Sequence, residues 1–96
     1  MTNTFELRRQ SDELVYLFTR RERADGLTGF QRADRDLWIT FRANLGWVAW
    51  DDESQTVMGR PWHMLPDAQS PLFPPEGEWV SKKGPKSYVY ELVHTY

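Results

Sequence analysis

Few side chains in this 96-residue chain could do chemistry, and they are scattered. Its two histidines, His63 and His94, could each serve as a general base beside a carboxylate. Neither stands in a nucleophile or metalloprotease motif, because the chain has no G-x-S-x-G, no H-E-x-x-H and no cysteine. Asp51, Asp52 and Glu53 stand in a row, but not at the spacing of a calcium loop, and both histidines are distant in sequence. The tract 76–90, EGEWVSKKGPKSYVY, has the ingredients of a phosphate loop without its order, since Lys82 stands where the second glycine is required. No metal, cofactor or catalytic residue is expected, and the chain reads as a non-enzyme.

Recognition is the remaining chemistry. The stretch 46–65, GWVAWDDESQTVMGRPWHML, holds Trp47, Trp50 and Trp62. Trp and Tyr supply large contact areas at low entropic cost and dominate binding hot spots. Strand alternation puts Trp47 and Ala49 on one face and Val48 and Trp50 on the other, and sets Trp38 opposite Leu37, Ile39 and Phe41. Some indoles must therefore lie off the core, either under a covering loop or exposed as a platform. The candidate binding residues are Trp47, Trp50, Asp51, Asp52, Arg60, Trp62, Lys82, Lys83 and Tyr90, with Trp50 as anchor and the acids as a rim.

Net charge is −2, which argues against non-specific nucleic-acid binding. Residues 1–42 carry eight Arg and seven acids, residues 43–80 carry Arg60 against six acids, and Lys82, Lys83 and Lys86 follow. The acidic, Trp-rich middle suits a basic protein partner. The leading expectation is a protein-binding inhibitor or adaptor that docks through the hairpin 46–60 and the segment 61–77. In being a single acidic domain without catalytic motifs, the chain resembles small inhibitors of larger machines, such as immunity or phage anti-defence proteins. The alternative is a small-ligand-binding domain with a pocket built from Trp38, Trp50, Arg60, Trp62 and Tyr90. A homodimer would enlarge either site.

The elements that must position these groups are short. Residues 4–9, 36–42, 46–50, 55–60, 78–82 and 87–95 read as strands, the last with Tyr88, Tyr90, Leu92 and His94 on one face. Residues 11–26 read as a helix, with Ser11 as cap, Asp12 and Glu13 in the first turn, Arg20, Arg21 and Arg23 near the end and Gly26 as the stop. Val15, Tyr16, Phe18 and Thr19 favour a strand there instead. Residues 24–29 read as a loop. Five of six prolines fall in 61–77, which should pack down as a long ordered connection. The fold expected is α+β and a single domain over 1–96: one N-terminal helix on an antiparallel sheet of about five strands, with a long proline-rich loop. The absence of cysteine, of a leader and of a long apolar run suggests the cytoplasm and no membrane.

Overall fold

A computed structural model describes residues 3–22, 26, 28–51 and 53–95, except for the side chain of Lys83. Arg23, at the end of the expected helix, lies outside these residues, as does Asp52. The described residues form β1 (Thr4–Arg9), β2 (Val15–Glu22), β3 (Thr28–Arg32), β4 (Trp38–Arg42), β5 (Gly46–Asp51), β6 (Thr56–Pro61), β7 (Gly77–Lys83) and β8 (Lys86–His94), with one 3₁₀ turn at Pro66–Ala68. Each strand pairs antiparallel with the next, and β8 returns to β1 to close a barrel. The fold is therefore all-β, and the expectation of a helix on a sheet of about five strands is corrected on both counts.

The correction turns on residues 11–22. Ser11, Asp12 and Glu13 make a tight turn, not a helix start. The Asp12 carboxylate accepts the Leu14 amide at 3.3 Å, Arg9 N–H donates to the Leu14 carbonyl at 2.7 Å, and Glu13 takes φ 64°. An Asx-type bond of this kind starts a turn as readily as it caps a helix. Beyond it the period is two: Tyr16 and Phe18 pair across from Leu7 and Phe5, pointing inward, while Leu17 faces out at 40% exposure. A helix would have set Leu14, Leu17 and Phe18 on one face. Pairing with β1 and β3 satisfies the backbone of these β-favouring residues from both sides. The expected loop 24–29 gives way to β3 at Thr28.

The alternation expected for the other strands holds and puts one set of residues inside. Phe5, Phe18, Phe30, Ile39, Trp47, Trp79 and Leu92 are buried together. Phe5 stacks on Phe18 with ring centres 5.0 Å apart, and Trp47 meets Phe30 and Phe41 edge-on at 5.6 and 5.7 Å. Fully burying one such side chain contributes roughly 1.5–3 kcal/mol, so this layer is the stabilising centre of a small domain.

The segment 62–76 seals the barrel end at which β5 begins and β8 ends. The Trp47 amide donates to Gln69 Oε1 at 2.8 Å, and its indole Nε1 donates to the Ser70 carbonyl at 2.7 Å. Gln69 Nε2 reaches the Met64 carbonyl at 3.1 Å. Gly46, at φ 73°, leaves room for this plug, because a Cβ there would lie 2.6 Å from Gln69 Oε1. On the far side, His94 Nε2 donates to the Pro74 carbonyl at 2.7 Å, Phe73 packs edge-on against the imidazole, and Arg20 donates to the Leu72 carbonyl while lying over Phe30. The proline-rich segment packs down, but as a stopper in one mouth of the barrel and not a wrap on a sheet face.

Candidate functional site

The opposite mouth is open. It is framed by the turns after β1, β3, β5 and β7, and it leads into a cavity of about 660 Å³. Leu7, Phe18, Leu37, Ala49 and Met58 give it apolar walls, and Tyr16, Tyr88, Tyr90, Ser81, Arg9 and Arg32 line it with them. Local sequence explains how the space opens. Ala49 places a methyl group where Trp47 fills the layer beneath. A bulge in the β5–β6 ladder, where Ala49 faces Gly59 and Trp50 faces Val57, leaves Met58 as the extra residue that turns to the cavity.

Two arginines point inward, and each is held by a carboxylate from the following turn. Arg9 grips Asp12 with two bonds, one of 2.8 Å from Nε, and Arg32 grips Asp34 with two, one of 3.1 Å from Nη2. The arginine side chains are 18% and 15% exposed and the aspartates 43% and 62%, so the acids sit on the solvent side of their partners. Hydrogen bonds from the guanidiniums hold both aspartates below the ordinary carboxylate range and raise the arginines further. The guanidiniums also lie on rings: Arg32 is 3.9 Å from the centre of Tyr16 and Arg9 4.9 Å from that of Tyr88. Tyr16 and Tyr90 meet at 6.1 Å. Burial raises the Tyr90 hydroxyl above its usual pKa, while its hydrogen bond with Arg9 pulls the other way.

The rim also carries acids, of which Asp36 stands in the same turn as Asp34, beside Arg32. Asp36 accepts from the Trp38 indole at 2.8 Å and from Gln31 at 3.0 Å, and Asp51 accepts from the Ser54 hydroxyl at 2.7 Å, which lowers its pKa. Glu53, from the turn after β5, and Lys82, on β7, complete the lining. A smaller depression of about 270 Å³ is lined by Thr19, Arg21, Gln31, Arg32, Ala33 and Arg35.

The structure divides the sequence's candidates. Trp50, Asp51, Lys82 and Tyr90 line the open cavity, as does Trp38. Trp50, on the strand face opposite Ala49, meets the cavity only at its edge, with the Arg42 guanidinium stacked on its ring at 4.2 Å. Trp47 is core, 2% exposed, and closed over by the plug. Arg60 and Trp62 stack on each other at 5.1 Å, outside and toward the sealed end. They are parted from Tyr90 because β6 runs from the open mouth at Thr56 to the plug at Pro61. Asp52 and the side chain of Lys83 lie outside the described residues. Sequence reasoning missed Arg9, Arg32, Tyr16 and Met58. Strand alternation was the available signal for the first three, since it aligns Arg9 with Phe5 and Leu7, and Arg32 with Phe30.

Among the described residues no cluster of His, Asp and Glu is arranged to hold a metal ion, and no helix is long and apolar enough to cross a membrane. His94 is committed to the plug, and His63 packs near Gly77, both away from the cavity. In comparisons with known proteins, the chain matches no family model, no curated protein and no solved structure.

Proposed function

We propose that this protein binds a small, partly apolar molecule in the open half of its barrel. One observation carries the reading: a barrel sealed at one end keeps a cavity of about 660 Å³ at the other, lined by aliphatic groups, aromatic rings and two inward guanidiniums. Ligand sites commonly span roughly 300–1,000 Å³ and favour barrel mouths. Eight strands enclose just enough space for side chains to fill or for one small ligand. Here the sealed half is filled and the open half is not, whereas a core serving stability alone would pack to uniform density. Binding without turnover is the activity proposed, and the cytoplasm its compartment, which suits a cysteine-free chain.

The test is a small-molecule screen by thermal shift and by NMR of the tyrosine and methionine side chains, run on wild type and on Ala49→Phe, which fills the cavity. Hits should move Tyr16, Tyr90 and Met58 and lose their effect in folded Ala49→Phe. Hits that perturb the outer walls instead, and bind Ala49→Phe equally, would defeat the reading. Docking of a protein partner is a second reading, favoured by Trp62, which stands 57% exposed in the proline-rich segment beside exposed Arg60. Trp62→Ala should then abolish capture of that partner and leave small-molecule binding intact.

A further inference from the structure

We infer that the molecule bound is an amphipathic carboxylic acid, its carboxylate held by Arg9 and Arg32 and its apolar part against Leu7, Phe18, Leu37 and Met58; this rests on the cavity reading above. The two arginines enter one continuous cluster. Arg9 pairs across the ladder with Tyr90, Arg32 lies on Tyr16, and the Tyr16 and Tyr90 rings are in contact. Two like charges projecting into one barrel need anions. Each finds one locally, in a bidentate carboxylate supplied by the next turn.

Asp12 and Asp34 therefore display the group that these guanidiniums accept: a planar, two-oxygen anion matched to the arginine fork. Both carboxylates lie on the solvent side of their arginines, so each is rehydrated on release. An entering carboxylate exchanges for one or both. It then lies deeper than the aspartates, on the cavity side, and its apolar portion leaves water for the apolar walls. The acids of the rim, Asp36 beside Arg32 and Asp51 and Glu53 at the end of β5, disfavour a doubly charged headgroup such as a phosphate monoester.

The experiment uses two tails, decyl and naphthyl, each presented as carboxylate, alcohol and amine, with decyl phosphate added. Binding is read by calorimetry and by the Tyr16 and Tyr90 resonances. The carboxylate of at least one tail should bind wild type about tenfold or more tighter than its alcohol, the scale of one charge-assisted hydrogen bond. The amine should bind more weakly than the alcohol, and the phosphate no tighter than decanoate. In the double variant Asp12→Asn/Asp34→Asn, with the competing carboxylates gone, carboxylate affinity should rise several-fold while alcohol affinity stays level. In Arg9→Gln/Arg32→Gln the preference for the acid should vanish. Alcohols that bind wild type as tightly as their acids, or a decyl phosphate that binds tenfold tighter than decanoate, would overturn the carboxylate assignment with the cavity reading intact. If no compound moves the Tyr16 and Tyr90 resonances, both fail. The wild-type comparison stands even if a variant does not fold.

Discussion

Replacing Gln69 with alanine tests how the barrel is sealed. Gln69 is buried, its Oε1 accepts the Trp47 amide at 2.8 Å, and its Nε2 donates to the Met64 carbonyl at 3.1 Å. Truncation leaves the Trp47 N–H, at the buried start of β5, without its acceptor. A buried donor left unpaired costs about 1–3 kcal/mol, and the lost bond to Met64 adds about 0.5–1.5 kcal/mol. A total near 2–4 kcal/mol is a large part of the ~5–15 kcal/mol that holds a domain of this kind together. At about 4–8 °C per kcal/mol for this chain length, Tm should fall on the order of 10–30 °C. Urea denaturation followed by tryptophan emission and by circular dichroism gives the free energy. Hydrogen exchange of the Trp47 amide reports the bond itself, and protection should collapse in the variant well beyond the global loss. A stability change under about 0.5 kcal/mol, or unchanged protection at Trp47, would show that Gln69 does not anchor the plug.

Other outcomes follow from the same geometry. Trp47→Ala should cost about 3–5 kcal/mol or prevent folding, whereas Trp50→Ala, which removes an outer indole stacked on Arg42, should stay folded and cost less than half as much; urea midpoints in the reverse order would contradict the assignment of the two faces. Gly46→Ala forces a Cβ into positive φ and onto Gln69, so it should destabilise by roughly 1–3 kcal/mol, measured as a lowered urea midpoint at constant m. Asp12, Asp34 and Asp51 have folded pKa values below the ordinary 3.8, because Arg9, Arg32 and Ser54 hydrogen-bond their ionised forms. Their stabilisation is therefore present above the unfolded value and is lost as pH falls through the lower folded values. Carbon NMR of the carboxyls should show all three still charged where model aspartate is half protonated, and Asp34→Asn should flatten the decline of Tm over that acidic range.

Much of the barrel was legible wherever neighbouring residues alone decide the outcome. Alternation in 36–42, 46–50 and 87–95 assigns Ile39, Trp47, Tyr90 and Leu92 to one surface, because successive side chains on any strand point to opposite faces. Proline content marked 61–77 as a connection for an equally local reason, the missing amide donor. Residues 11–22 resisted this treatment. The side chains of Ser11 and Asp12 can bond to the backbone ahead of them whether a helix or a second strand follows, so the choice fell to pairing partners on β1 and β3. Closure is the extreme case. Phe5 faces His94 from the other end of the chain, and no local pattern announces that a sheet will meet its own first strand. Closure in turn decided the site. Until the sheet has an inside, Arg9 and Arg32 read as surface charges at strand ends; once it closes, both point into a shared cavity with Tyr16 and Tyr90. The same geometry carries Arg60 and Trp62 to the far end of β6. Residue type and alternation were properties of the sequence alone, but which mouth is plugged, which is open and which side chains meet there depend on contacts between residues far apart in the chain.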